Sequence, residues 1–217
     1  MAKIKKVIGR QVFDSRGNPT IEAEVFSEKE SATAIVPSGA STGTHEAFEL
    51  RDGDNKNYLG KSVFKAAQNI NGQISKAIFN FDSNDLSKID KTLIELDGSN
   101  QKKNLGANAI LAVSMASCKL AAKENKISLF KHLVKDKKYT MPVPLLNIIN
   151  GGVHANNNLD IQEFMIRPEN SLSFSEAMKK SFLVVQNLKK MVDNTNVGDE
   201  GGFAPNLSST EEAIKLI

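Results

Sequence analysis

Met141-Pro142-Val143-Pro144-Leu145-Leu146-Asn147-Ile148-Ile149 is the stretch on which the fold turns. Its two prolines hold the backbone extended and forbid a continuing helix. The run that follows them is nearly all apolar, as in a strand buried on both faces. The charged segment Lys135-Asp136-Lys137-Lys138 comes just before. We therefore read a domain boundary here, with one domain over 1–138 and a second opening at 139–217.

Upstream, three alternating runs, Ile4 to Phe13, Thr20 to Phe26 and Ala32 to Val36, are separated by Arg16-Gly17-Asn18-Pro19 and Glu28-Lys29-Glu30. Such spacing predicts a three-stranded antiparallel meander. From Leu59 the period becomes helical, with Val63, Ala66, Ala67, Ile70, Ile74 and Ile78 three or four apart. Further helices are expected over Asp85 to Leu96, Ala107 to Glu124 and Ser128 to Val134. Strands followed by helices make the first domain α+β.

Downstream, a second strand is expected at Ile161 to Ile166, then a helix carrying Phe174, Met178, Phe182, Val185, Leu188 and Val192 on one side. Ser209-Thr210-Glu211-Glu212 has capping-box spacing and opens another helix at Ala213. Alternating strand and helix signals suggest the opening part of an α/β barrel. The residues from Met141 to Ile217 are far fewer than the ~250 of a complete eight-stranded barrel, so closure within this chain is not expected.

Composition narrows the function classes. The 28 basic residues are interleaved with 25 acidic ones, leaving a formal net charge of +3, which asks for neither nucleic acid nor membrane. No apolar run approaches the ~18 residues of a membrane helix, and the basic start Lys3-Ile4-Lys5-Lys6 is not followed by a signal-peptide core. The single Cys118 has no disulfide partner in the chain and shares a helical stripe with Leu111, Met115 and Ala122, which reads as a core thiol. A cytoplasmic location is expected, with a secondary surface or secreted location left open.

Three segments could carry chemistry. Pro37-Ser38-Gly39-Ala40-Ser41-Thr42-Gly43-Thr44-His45-Glu46 follows a strand and could fold over a ligand, but it lacks the Lys-Ser or Lys-Thr ending of a nucleotide P-loop. A serine oxygen there could be one weak ligand to a magnesium ion otherwise held by water and phosphate. Asn147-Ile148-Ile149-Asn150-Gly151-Gly152-Val153-His154 breaks an apolar strand at two glycines and presents a histidine; Gln162-Glu163-Phe164-Met165 follows. The C-terminal ends of parallel barrel strands are where barrel enzymes assemble their sites. Gln162 and Glu163 are adjacent, so a regular strand would turn one of them into apolar surroundings. In Gly198-Asp199-Glu200-Gly201-Gly202 the glycines permit close backbone approach to a ligand. Glu163 and Glu200 are the candidate acid pair, since like-charge repulsion in a closed site favours a proton on one of them. The loops around Ser38 to Glu46 and His154 to Asp160, rich in Gly, Ser and Asn, are expected to lack apolar anchors and to move without ligand.

Together with Val12-Phe13-Asp14-Ser15-Arg16-Gly17-Asn18-Pro19-Thr20, these motifs resemble the enolase family, and the resemblance runs through all 217 residues. It implies a magnesium-dependent lyase of glycolysis acting on 2-phosphoglycerate and phosphoenolpyruvate, in a cytoplasmic homodimer or octamer. By that resemblance Ser41 binds a Mg2+ ion when its loop closes. His154, Gln162 and Glu163 contact substrate, and Glu200 is the general acid. The base lysine, the carboxylates of the first magnesium and the phosphate-binding arginine are expected beyond Ile217, leaving about half a site here. The alternative is a non-catalytic enolase-like fragment serving as a binding module or subunit partner. Another acid-sugar dehydratase or racemase on the same scaffold fits less well.

Overall fold

The computed structural model describes residues 3–39, 41–134 and 138–217. Lys135, Asp136 and Lys137 of the expected boundary, Ala40 of the serine loop and the first two residues lie outside the described residues. The chain divides into two compact units, Met1–Lys137 and Lys138–Ile217.

In the first unit, β1 (Lys6–Phe13), β2 (Pro19–Phe26) and β3 (Ser31–Val36) form an antiparallel sheet in sequence order. The period-2 pattern does what it predicts along β2. Ile21, Ala23 and Val25 are buried, while Glu22 and Glu24 point away and both pair with Arg10, at 3.0 and 2.6 Å. The first turn is fixed by the Asp14 carboxylate, which accepts from the amides of Arg16 and Asn18. The buried face packs against α4 (Ala107–Glu124). The alanines of that helix, Ala109, Ala112 and Ala116, are fully buried and let it approach the sheet closely.

The helix read from Leu59 starts later. Leu59 has φ 52° and is 83% exposed, in a single tight turn over Tyr58–Gly60. Helix α1 runs over Phe64–Asn69, passes through a π-turn at Ile70–Ile74 and resumes as α2 (Ser75–Ala77). Its first free amides, of Phe64 and Lys65, donate to the carboxylate of Asp52, a cap twelve residues upstream that no local pattern reveals. The π-turn puts Asn71 against the edge strand, where its side chain accepts from Gly9 N and donates to Gly9 O, both at 2.9 Å. Ile70, Ile74 and Ile78 are fully buried, as their spacing requires.

Helix α3 (Leu86–Asp97) ends at a buried carboxylate, and α5 (Leu129–Val134) closes the described part of the unit. Asp97, 2% exposed, accepts from the amides of Leu105 and Asn104 and from the amide and hydroxyl of Ser99. Burial pushes its pKa up, but these donors outweigh burial and hold it below the ordinary carboxylate value. A depressed folded pKa contributes stability above the unfolded value, ~3.9, and loses it as pH falls through the folded one. Asp97→Asn is therefore expected to melt lower than wild type at neutral pH, by about 2 kcal/mol of stability. That gap should narrow as melting is followed below pH ~4; a gap independent of pH would mean the charge contributes nothing.

Cys118 is buried, and its burial first, then Asp90, pushes the thiol pKa up, as suits a packed side chain. Its stripe is only half buried: Ala122 is inside, whereas Leu111 and Met115 are exposed.

The second unit holds β4 (Leu146–Asn150), β5 (Glu163–Ile166), α6 (Phe174–Met191) and α7 (Thr210–Leu216). The two strands pair antiparallel with a bulge between Asn147 and Ile149, not side by side in parallel. The segment between them folds straight back rather than crossing over through a helix. Ile149 instead meets Phe203 in a parallel bridge. Ile148, Ile149, Leu159, Phe164, Leu188 and Ala213 form the core, while Leu145 is exposed. Of the expected stripe on α6, Val185, Leu188 and Val192 pack on the core, while Phe174, Met178 and Phe182 are exposed. Ala177, Ser181 and Leu188 face inward, and Phe182 is 61% exposed. Ser209 caps α7 by accepting from Glu212 N, as its capping-box spacing predicts, and Ser173 caps α6 in the same way by accepting from Glu176 N.

Candidate functional site

Where β4 runs out, Asn150, Gly151 and Gly152 turn the chain so sharply that His154 points inward. The turn is held by its own backbone: Gly151 N donates to Gln162 O, Gly152 N to Leu159 O and His154 N to Gly151 O. Leu159, buried among the core residues, anchors the His154 to Asp160 loop from within. Asn157 adds a brace, donating to the carbonyls of Asn150 and Pro205. The expectation that this loop lacks an apolar anchor is thus corrected.

A second turn brings in the acid. Gly198 N donates to Gly202 O and Gly201 N to Gly198 O, so Asp199 and Glu200 sit at a tight reversal. Asp199 N donates to His154 O, locking this reversal to the histidine turn. Asn150 Oδ1 accepts from Gly202 N at 2.7 Å. A Cβ on Gly198 would lie 2.5 Å from His154 O and 2.6 Å from Asn150 Cβ, and one on Gly202 2.9 Å from Ile149 N. The close approach these glycines allow is therefore to the protein's own strand.

Three of the residues singled out in sequence meet here. His154 Nδ1 lies 3.8 Å from Glu163 Oε1 and 3.8 Å from Glu200 Oε1. One donor atom from each residue falls within 4.8 Å of the others. The imidazole is 5% exposed, and neither ring nitrogen has a hydrogen-bond partner among the described residues. The carboxylates are more open, at 28% and 37%. Chemically this is an acid pair facing one buried imidazole, not a sealed carboxylate dyad. Gln162 is exposed, and its backbone carbonyl is engaged by Gly151 N and Asn150 Nδ2.

Ser41 belongs to the first unit, where it is exposed. The base of its loop is tied by two arginines, Arg16 of the first strand turn and Arg51, which no motif singles out. Arg16 donates to the carbonyls of Ser38 and Gly39, and Arg51 to the Ser38 hydroxyl. Gly43 N donates to the Glu46 carboxylate at 2.7 Å. A groove of about 490 Å³ runs beneath, between Val36, Pro37, Thr42, Phe48 and Leu111.

Residues 4–133 match the family model described as enolase, N-terminal domain, and residues 138–217 match that of the enolase C-terminal TIM barrel domain. The chain belongs to the enolase family. The enolase of Pelagibacter ubique (strain HTCC1062) is 58% identical over 221 residues, which take in 100% of this chain and 53% of that protein. This enolase-family chain thus spans about half the length of the curated relative it matches. Its fold is the one the family matches describe: three antiparallel strands followed by helices, then a region matching the start of the enolase barrel domain. No described helix is long and apolar enough to cross a membrane.

Proposed function

We propose that the whole protein containing these residues interconverts 2-phosphoglycerate and phosphoenolpyruvate with Mg2+ as cofactor, as a cytoplasmic homodimer or octamer. The supporting observation is the meeting of His154, Glu163 and Glu200 on two interlocked glycine turns. In this reading the division of labour follows the domains proposed at 1–138 and 139–217. Ser41 lies in the first, and Glu163 and Glu200 lie in the second.

Glu200 is the acid. In its protonated form its carboxyl group gives a proton to the departing hydroxyl, the carbon–oxygen bond breaks with its electron pair going to oxygen, and water leaves. Glu163, across the same imidazole, completes the catalytic pair and contacts substrate. His154 and Gln162 orient the substrate beside them. His154 is well suited to this because its buried nitrogens are unspent and a polar group of the substrate would satisfy them.

Magnesium is another matter. Ser41 offers a single exposed oxygen, and the donor cluster among the described residues contains an imidazole, whereas magnesium seeks oxygen ligands in a near-octahedral shell. These residues do not fit a magnesium site by themselves. Ser41 is proposed as one contributed oxygen and no more.

The 217-residue chain alone is expected to give no measurable phosphoenolpyruvate. Its cluster sets two carboxylates, beside one imidazole, against an anionic substrate. Like charges this close oppose binding and oppose the further negative charge of a carbanion intermediate. A coupled absorbance assay of the purified chain, beside the protein at its relatives' full length, checks this; turnover by the 217 residues would refute it.

A further inference from the structure

We infer that the outer edge of β3 is a strand-pairing surface for a second copy of this chain, and that Lys119 and Lys123 of α4 hold it closed. The sheet runs in the order β1-β2-β3, so β1 and β3 are its edges. An edge strand presents a row of backbone N–H and C=O groups with which another strand can pair. On β1 the middle of that row is engaged by Asn71, which accepts from Gly9 N and donates to Gly9 O. β3 reads Ser-Ala-Thr-Ala-Ile-Val, six residues without a charge or a proline of its own to turn a partner strand away.

The register shows which groups of β3 face outward. The hairpin that joins it to β2 closes with Ser27 N donating to Glu30 O, and the pairs Phe26–Ser31 and Glu24–Thr33 follow. Bonded and non-bonded pairs alternate along an antiparallel ladder, so Ser31, Thr33 and Ile35 turn their amides and carbonyls away from β2. Two of those carbonyls are taken by lysines. Lys119 Nζ donates to Thr33 O at 3.0 Å, and Lys123 Nζ donates to Ser31 O at 3.1 Å. The match is geometric: four residues rise ~6 Å along a helix, and two span ~6.8 Å along a strand. Lysines one helical turn apart therefore fall on alternate carbonyls of a strand that runs the opposite way. Glu30 steadies the second lysine, its carboxylate 2.8 Å from Lys123 Nζ.

The occupant that fits this edge is the same strand. About a two-fold axis at Thr33, β3 of one copy lies antiparallel to β3 of another, with Ser31 opposite Ile35 and each Thr33 exchanging both backbone bonds with its counterpart. Such a contact is self-complementary and needs no second surface. Thr33 and Ile35 are exposed and β-branched, so their side chains can pack across the join. The lysines oppose it. To pair, each copy must release two carbonyls, and four ammonium groups would crowd along one seam, where like charges repel. None of this rests on the catalytic reading of the second unit.

Sedimentation equilibrium of the 217-residue chain makes the test. Lys119→Ala/Lys123→Ala should associate at least ~10-fold more tightly than wild type, and hydrogen exchange at the Ser31, Thr33 and Ile35 amides should slow as its concentration is raised. Lys119→Arg/Lys123→Arg, which keeps both charges and their donors, should match wild type. So should Lys76→Ala/Lys103→Ala, an equal loss of charge at exposed lysines elsewhere in the first unit. Wild type supplies the baseline for association through any other surface. Alanine favours a helix, so α4 should persist; circular dichroism checks this, and if the double alanine variant is disturbed, the two single variants decide by the same readouts. Association no tighter than in the Lys76/Lys103 pair, tighter association without slowed exchange at β3, or an arginine pair that associates like the alanine pair would each overturn the proposal.

Discussion

Glu200→Gln, introduced into the whole enolase-family protein, is expected to lower kcat by at least ~10²-fold and to leave KM within a few-fold of wild type. Glutamine fills the same volume and keeps a hydrogen-bonding end, but it has no proton to release when the hydroxyl departs. That proton matters only as the bond breaks, so the loss falls on kcat. Position 200 is also forgiving structurally. Its side chain is 37% exposed, and the reversal that carries it is held by backbone bonds among Gly198, Gly201 and Gly202. Steady-state kinetics at saturating substrate make the measurement, with the exposed pair residue Glu211 on α7, changed to Gln, as control. Near-normal kcat in Glu200→Gln would remove Glu200 from the acid role. An equal fall in the Glu211→Gln protein would show that the loss is not specific to the site.

Much of the fold is legible because its signals are local. The turn residues between β1, β2 and β3 lie beside the strands they join, and the span of α4 matches its apolar pattern with Gly106 at its start. What escaped depends on distant partners. The cap of α1 is the Asp52 carboxylate, so the sequence pattern ran five residues too early, to Leu59. The pairing of β4 with β5 is set by a bulge and by Phe203 more than fifty residues on, and no period within either strand declares that they run antiparallel. On α6 the bulky residues mark the buried face only in the C-terminal half, at Val185, Leu188 and Val192. In the N-terminal half the inward positions are Ala177 and Ser181, small residues that permit close packing.

The candidate site shows the same division. His154, Glu163 and Glu200 stand out in sequence because polar residues follow glycine breaks and an apolar strand, and the structure does bring them together. Their supports are invisible there. Asn150 sits at the end of β4 and looks like one more polar turn residue, yet it is fully buried and its side chain binds Gly202 N and Gln162 O. Asn157, Arg16 and Arg51 likewise act through backbone carbonyls, which leave no trace in residue type.

Gly198→Ala is expected to damage the second unit severely. The added methyl would sit 2.5 Å from His154 O, 2.6 Å from Asn150 Cβ and 2.9 Å from Asn150 Cγ. None of these atoms is the free end of a flexible side chain. Relief requires the reversal at 198–202 to lift off β4, which stretches the bonds from Asp199 N to His154 O and from Gly202 N to Asn150 Oδ1. Overpacking of this kind costs about 1–3 kcal/mol, and two weakened buried hydrogen bonds add about 1 kcal/mol each. Gly201→Ala isolates the steric term, because a methyl there meets open space and carries only the strain of φ +83°, ~1–2 kcal/mol. Melting of the 217-residue chain should therefore place Gly198→Ala below Gly201→Ala, and hydrogen exchange should show the loss of protection at Asp199 and Gly202. Protection at those two amides equal to wild type would mean that the glycine turn and the strand do not interlock, and the geometry linking His154 to Glu200 would need another cause.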